Sequence, residues 1–516
     1  MKARITCADS PAGPGSDAFG VFASRARGRR DTVLFESKDG NGENDSRSMI
    51  FADNALRIQG RGSTVVLTPL DENGARAAAA MKGPLSKVSR VVDEGGVLTA
   101  IFPPPRRATG EGDRRRAVGT DEALRIAGTM WDVEGDGVEP VFLPGVFAYD
   151  FVEVAEELPP AREDRHGFDD FVFWLPSKAV IIDRAADVER VVEYEYGAPP
   201  ESCGSRAPRP VGGSSGAGLA TGRERARTDV EDPRVDVEDG EFEKLVGAVK
   251  GHVRAGDVFQ IVPSRTFRAP CPDALAAYGE LRRREPSPYL FFIGGPGFTL
   301  FGASPEACLK VKRAKGRLSV SVHPIAGTRR RGLTGDGAVD PELDARAEAG
   351  LKLNEKEIAE HLMLVDLARN DVARVSEAGS RRVTRLMEVE RYSRVMHLVS
   401  VVEGILAPGL DALGAYRATA NMGTLVGAPK IEAARLLRRY ERDRRGPYGG
   451  AVGYLTSEGE MDTAIVIRAA LVEDGIASVR AGAGVVHDSE PALEADETRA
   501  KAQAVLEAIA AAGGGR

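Results

Sequence analysis

The chain has 516 residues, 42% of them hydrophobic, with 70 basic and 77 acidic side chains and a formal net charge of −7. That length allows two to four domains and a sizeable core, while the acidic balance disfavours a nucleic-acid surface, which shows a basic excess. No apolar run approaches the ~18–20 residues that span a bilayer, no h-region follows Met1-Lys2-Ala3-Arg4, and the four cysteines (Cys7, Cys203, Cys271, Cys308) form no C-x-x-C pair, which reads as reduced thiols in a cytoplasmic protein.

In chain order, Arg25, Arg27, Arg29 and Arg30 are followed at once by Asp31 and Glu36 and read as a solvated turn. Strand-like runs follow at Thr32–Phe35, Ser48–Ala52, Thr64–Leu67 and Ala179–Ile182, with a polar exposed loop over Pro103–Asp113. Residues 198–228 are rich in Ala, Pro, Gly, Ser and Arg around Gly212-Gly213-Ser214-Ser215-Gly216, a composition that cannot bury enough apolar surface to order itself. The chain therefore divides into an N-terminal part (1–197), a flexible linker (198–230) and a C-terminal part (235–512). In the last part Asp257–Val262, Tyr289–Ile293, Leu318–Val322, Gly449–Leu455, Ala464–Ala470 and Ile476–Val486 read as strands. Phe242–Arg254, Asn354–Asn370, Leu410–Met422, Ile431–Tyr440 and Pro491–Ala511 read as helices. Long strands succeed one another without crossover helices, so the fold class is α+β, with antiparallel or mixed sheets under helices.

Asn354 suits an N-cap with Glu357 three residues on. Glu360 lies inside the apolar body of that helix, where a carboxylate must be paired (Arg369 is the simple partner), protonated or bound to metal. The last helix carries Glu494, Glu497 and Lys501 on one face. Carboxylates from two helices meeting at one cleft suit Mg²⁺, which takes one or two carboxylates and keeps waters. Arg480-Ala481-Gly482-Ala483-Gly484-Val485 is a small-residue turn whose amides can approach an anion. Gly423-Thr424-Leu425-Val426-Gly427-Ala428-Pro429-Lys430 is similar but lacks P-loop spacing. Arg468, on an apolar strand, needs an anion, and a bidentate grip on a carboxylate is the obvious use. Residues 323–332 set a hydroxyl, Thr328, beside a basic cluster, with Ala326 where a reactive lysine would have fitted.

Together these blocks carry a resemblance. Gly256-Asp257-Val258-Phe259-Gln260, Pro286-Ser287-Pro288-Tyr289, Gly302-Ala303-Ser304-Pro305-Glu306, Pro324-Ile325-Ala326-Gly327-Thr328-Arg329, the run Glu360–Asp371, Gly423-Thr424-Leu425, Gly427-Ala428-Pro429-Lys430, Ala464–Arg468 and Gly482–Gly484 resemble the chorismate-utilising enzymes, and within them the large components of anthranilate synthases. The match covers residues 235–510 and continues more thinly before them. It implies that family's α+β fold, antiparallel and mixed sheets packed as a sandwich with helices outside, and a lyase reaction: chorismate and ammonia to anthranilate and pyruvate, the first committed step toward tryptophan.

By resemblance, Glu360 and Glu497 are Mg²⁺ ligands. Gly327, Thr328, Tyr448, Arg468, Gly482, Ala483, Gly484 and Lys501 are the chorismate-binding set. Glu306 is the general acid for the departing 4-hydroxyl, and His397, Gln260 and Thr424 complete the catalytic set, the role of His397 being open. Relatives that add water carry a lysine base where Gln260 stands. Those that make 4-amino-4-deoxychorismate carry a lysine nucleophile where Ala326 stands. Gln260 with Ala326 therefore implies direct ammonia addition. Another chorismate enzyme, forming aminodeoxychorismate or 2-amino-2-deoxyisochorismate, is the alternative.

Val33–Ser37 and Asp45–Ser48, with Pro288-Tyr289-Leu290, resemble a feedback site for L-tryptophan built from Ser37, Arg47, Pro288, Tyr289 and Leu290, which makes the N-terminal part regulatory and the C-terminal part catalytic. Arg47 replaces the commoner lysine and Glu285 the usual asparagine. No glutaminase segment is recognisable, so the resemblance implies a separate glutamine amidotransferase subunit, in a heterotetramer of two large and two small subunits.

Overall fold

The computed structural model describes residues 2–12, 17–37, 47–103, 118–133, 139–197, 234–335, 338–392 and 395–513. The proposed linker over 198–230, residues 104–113 of the polar loop, and Asp45-Ser46 lie outside the described residues.

Strands pair into two long ladders. One runs Ser264–Pro270, Ile476–Gly482, Ala469–Glu473, Thr299–Ser304, Tyr289–Gly294, Thr32–Glu36 and Arg47–Arg61. The other runs Arg382–Arg391, Val395–Ile405, Arg317–Val322, Ala307–Ala314, Met461–Ile465, Ala451–Thr456 and Phe142–Phe147. Arg47–Arg61 and Phe171–Asp183 pair with each other and join the two ladders. Every strand ladder between described strands is antiparallel except the short pairing of Lys2–Pro11 with Asp132–Val133. The α+β sandwich is therefore present, and strands from before residue 197 and after residue 235 alternate within it.

Period-two patterning explains the layers. Along Tyr289–Gly294, Phe291 and Ile293 enter the core shared by both ladders, while Leu290 and Phe292 face the other way into a second core. That second core lies beneath the outer helices Ala274–Arg284 and Pro491–Gly513, through Tyr278, Leu281, Val505 and Ile509. The helix Glu355–Val375 packs on the strands Ile325–Arg330 and Val395–Ile405. Asn354 caps it, its side chain accepting from the Glu357 amide at 3.1 Å. No helix among the described residues is long and apolar enough to cross a membrane.

Three sequence-predicted strands are shorter than expected. Asp257–Val262 contributes only Gln260–Ile261, paired to Gly427–Ala428. Ile476–Val486 ends at Gly482, and Ala464–Ala470 breaks into Met461–Ile465 and Ala469–Glu473. The predicted helix Leu410–Met422 is Ala412–Thr419 followed by the short turn Gly423–Val426. All four breaks fall around one cavity.

Candidate active site

The last of those strand breaks has a twin. Thr299–Ser304 belongs to the first ladder and Ala307–Ala314 to the second, as Ala469–Glu473 and Met461–Ile465 do in the opposite chain direction. The chain thus crosses between layers twice, side by side. The crossings hold each other: the Ile465 N–H donates to the Glu306 carbonyl at 3.0 Å and the Ala303 N–H to the Arg468 carbonyl at 3.1 Å. Leaving the ladders turns Glu306 and Arg468 into a cavity of about 470 Å³. Arg468 adopts φ +48°, uncommon outside glycine and of the kind held in place at functional sites.

Every sequence-predicted catalytic, substrate and metal residue lines this cavity except Ala483, and Ala326 lines it too. Ala483 is fully buried and its N–H donates to the Pro263 carbonyl at 3.1 Å, so its amide is not offered to a ligand. The flanking glycines have a steric reason. A Cβ at position 482 would meet the Tyr448 hydroxyl at 2.9 Å, and one at 484 the Gln260 amide nitrogen at 2.7 Å.

Burial pushes the Glu306 carboxyl up to about 8, against the Thr424 hydroxyl, which donates to it at 3.2 Å, and the positive charges of Lys501 and Arg468. It is therefore protonated at neutral pH. The Arg468 guanidinium makes no hydrogen bond or ion pair with a described residue, and burial lowers its affinity for its proton, with Glu285 and Glu306 opposing. A desolvated guanidinium without an anion is a carboxylate site in waiting.

Burial, with Arg468 nearby, pulls His397 down to about 4, so the ring is neutral. Its Nδ1 lies 3.2 Å from the Gly327 carbonyl and 2.9 Å from the Thr328 hydroxyl. A carbonyl only accepts, so Nδ1 carries the hydrogen and Nε2 the lone pair. Gln260 is 3% exposed, and its side-chain carbonyl finds no hydrogen-bond partner among the described residues.

Glu360 is not paired with Arg369, which bonds Asp366 at 2.9 Å. Burial first, then the charges of Glu357 and Glu497, raise its pKa. Glu357 is engaged by Arg329 at 2.9 Å, and Glu497 meets Lys501 at 2.6 Å, whose ammonium also donates to the Gly482 carbonyl at 3.0 Å. The basic run after Thr328 therefore has structural work: Arg329 fixes the helix one turn before Glu360, and Arg331 grips Asp344 through two hydrogen bonds of 2.7 and 2.9 Å. Sequence reading missed Arg480 and Lys356 on the cavity wall. Their only signal was a cation within a motif already noted for its small residues, or one turn before Glu360.

A model of chorismate binding enzymes matches residues 94–507. The chain belongs to that family. Component 1 of anthranilate synthase from Vibrio cholerae serotype O1 is 44% identical over 495 residues, 96% of this chain and 94% of the relative. The pyocyanine-specific component 1 of Pseudomonas aeruginosa is 46% identical over 501 residues, 93% and 90% of the two chains. The solved anthranilate synthase component I of Streptococcus pneumoniae TIGR4 superposes with a TM-score of 0.64 at 27% identity, over 90% of this chain and 93% of that one. Within the chorismate binding enzymes the chain stands with component 1 of anthranilate synthase.

This family member has a second cavity between the layers, and it gathers Ser37, Arg47, Pro288, Tyr289 and Leu290. Arg47 is bonded to Asp183 at 3.1 Å. Missed from sequence were Lys310 and Asp462, paired at 3.7 Å, with the Tyr289 hydroxyl donating to Asp462 at 3.1 Å. They meet because Lys310 and Asp462 are register partners across a ladder, which no local motif announces. Pro305 and Ile325 line both cavities.

Proposed function

We propose that this chain converts chorismate and ammonia to anthranilate and pyruvate, as the large component of an anthranilate synthase. The observation that carries the reading is that Gln260, a neutral amide rather than a base, lines the same cavity as a protonated Glu306. Ammonia is already a nucleophile and needs an acceptor to orient it rather than a base to activate it.

In the first step the ammonia lone pair forms a bond to ring carbon C2, the ring double bonds shift, and the C4–O bond breaks. Glu306 supplies the proton with which hydroxide leaves as water, and the added nitrogen releases one proton. In the second, the C2 hydrogen leaves as a proton, the C3–O bond breaks and pyruvate departs in its enol form, making the ring aromatic. His397 is neutral with a lone pair on Nε2, and is the base at hand for that proton. Arg468 and Tyr448 hold substrate carboxylate. With Ala326 there is no amine at that position to attack the ring, which separates this reading from the aminodeoxychorismate-forming one.

Glu360 and Glu497 are the pair that would hold Mg²⁺. The fit rests on Glu360, whose raised pKa reflects burial and neighbouring carboxylates that a divalent cation would relieve, while Glu357 is tied to Arg329. Among the described residues no group of three or more His, Cys, Asp or Glu side chains is arranged to hold a metal, so the pair suits an ion that retains waters. When bound, Mg²⁺ supplies positive charge against a substrate carboxylate.

The reading includes a cytoplasmic setting, a separate glutamine amidotransferase subunit in an assembly of two large and two small subunits, and inhibition by L-tryptophan at the second cavity. The walls that cavity shares with the first, Pro305 and Ile325, are next to Glu306 and Ala326, which supports coupling between them. Ser37→Ala is expected to raise the tryptophan concentration for half-inhibition at least about tenfold, the loss of ~1.4 kcal/mol of binding, with uninhibited turnover retained. Unchanged sensitivity contradicts the site. The reaction itself is tested by supplying chorismate, Mg²⁺ and an ammonium salt at mildly alkaline pH: anthranilate fluorescence is expected, and chorismate consumption without it contradicts the reading in favour of an amino-adduct as final product.

A further inference from the structure

His397 stands in the middle of a row of side chains. In the antiparallel sheet of Ile325–Arg330, Val395–Ile405 and Arg382–Arg391, its register partner is Thr328 on one side and Glu390 on the other, and directly opposed residues of such ladders share a face. The row starts at Thr328 on the catalytic cavity and ends at Glu390, which lines the second cavity. Two residues further on, Tyr392 also lines the second cavity and meets the imidazole in an edge-to-face contact, with ring centroids 5.4 Å apart and planes at 63°. Its hydroxyl donates to the Glu390 carboxylate at 2.8 Å.

Tyr392 and Glu390 are themselves held in place. The Tyr392 N–H donates to the Val395 carbonyl at 2.8 Å, and its carbonyl accepts at 2.7 Å from Arg331, the arginine that grips Asp344. Arg385 meets the other Glu390 oxygen at 2.9 Å. On the catalytic side, the contacts of Nδ1 with Gly327 and Thr328 fix one corner of the imidazole. One corner leaves the ring free to turn about it, and the Tyr392 ring packed against the imidazole removes that freedom. Glu390 contributes charge. Burial and Arg468 oppose a proton on His397, whereas the Gly327 carbonyl and Glu390 favour one. A carboxylate near a histidine base stabilises the imidazolium as it forms.

Resting on the reaction proposed above, we propose that Tyr392 and Glu390 are positioning residues for its second step, Tyr392 fixing the plane of the His397 imidazole and Glu390 stabilising its cationic form. In that step Nε2 takes the C2 proton, the C2–H electron pair forms the last ring double bond, the C3–O bond breaks and pyruvate leaves as its enol. Neither residue lines the catalytic cavity, so both act through His397. Ammonia addition, which gives His397 no proton to move, does not depend on them.

The test follows single turnovers of the full chain, held in excess over chorismate with Mg²⁺ and an ammonium salt, quenched and separated into chorismate, amino-adduct, anthranilate and pyruvate. Tyr392→Ala is expected to slow conversion of the adduct to anthranilate and pyruvate about 30- to 100-fold, the scale set by a misplaced reacting group. Chorismate is consumed within about threefold of the parent rate, so the adduct accumulates. Tyr392→Phe keeps the ring and loses only the hydroxyl, and most of the rate returns. Glu390→Gln keeps an acceptor for that hydroxyl without the charge, and slows the same step about three- to tenfold. Equal slowing of both steps in Tyr392→Ala and Glu390→Gln overturns the proposal, since the two residues would then be structural. An unchanged second step in every variant overturns it too, including the case in which only tryptophan sensitivity moves. If Tyr392→Ala does not fold, Glu390→Gln decides by the same comparison. A parent chain that forms neither adduct nor anthranilate is a failure of the reaction instead. The ¹⁵N signals of the His397 imidazole then read the positioning directly: a single Nδ1–H form is expected in the parent and its loss in Tyr392→Ala, and identical spectra in parent and variants overturn the proposal.

Discussion

Glu306→Gln is expected to lower kcat by about 100- to 10,000-fold, the usual contribution of a general acid, and at the same time to make the ligand-free protein more stable at pH 8. The two effects have one cause. Burial raises the carboxyl from an ordinary 4.5 to about 8 in the folded chain. Between those values the folded state holds a proton that the unfolded state has lost, so stability falls as pH rises, by about 1.4 kcal/mol per unit. Glutamine does not titrate, so the stability advantage of the variant is absent near pH 4, grows from pH 5 to 8, and reaches the order of 4 kcal/mol. Thermal melts across that range check the sign: a variant that is no more stable at pH 8 than at pH 5, relative to the parent, contradicts a buried protonated Glu306. In the parent enzyme, turnover at a fixed concentration of neutral ammonia is expected to decline above about pH 8 as Glu306 ionises.

Arg468→Met is expected to reduce kcat/KM for chorismate about 100- to 1,000-fold, corresponding to the ~3–4 kcal/mol lost when one partner of a desolvated charge pair is removed. Arg468→Lys retains charge but loses the planar fork that grips a carboxylate through two bonds, so rescue is partial. Because the Arg468 guanidinium has no partner among the described residues, Arg468→Met is not expected to lower the melting temperature. Chorismate kinetics and melts on the same preparations decide this. Unchanged kcat/KM removes Arg468 from the substrate site, and a large loss of stability makes it structural. Glu306 and Arg468 together show a site built at a cost in stability, each group desolvated before its ligand arrives.

What was legible from sequence followed local rules. The helix starting after Asn354 was announced by its cap and apolar body, and strands such as Tyr289–Gly294 by β-branched and aromatic runs. The helices Glu72–Ser86 and Ala274–Arg284 were not anticipated, because alanines and arginines blur an amphipathic stripe. The layer crossings at Pro305-Glu306 and Val466–Arg468 were invisible for a different reason. Apolar residues continue through Val466 and Ile467, so two strands in different ladders read as one, and only the pairing partners reveal the break. The candidate site was legible as an assembly of motifs, not as geometry. That Ala483 is bonded to Pro263, that Glu357 is held by Arg329, and that Lys310 meets Asp462 all depend on register between distant strands or on packing between elements. Ala326 and Gln260, by contrast, were informative as letters, since each marks a lysine that the chemistry would have needed.

The cavity is expected to add ammonia directly to chorismate and to complete the elimination. The most direct test of this follows anthranilate fluorescence and pyruvate in one reaction containing the purified chain, chorismate, Mg²⁺ and an ammonium salt, with Glu306→Gln alongside. Equimolar anthranilate and pyruvate are expected from the parent chain, with near-complete loss of both in the variant. Chorismate consumed without pyruvate, or with an amino-adduct as the only product, would contradict it.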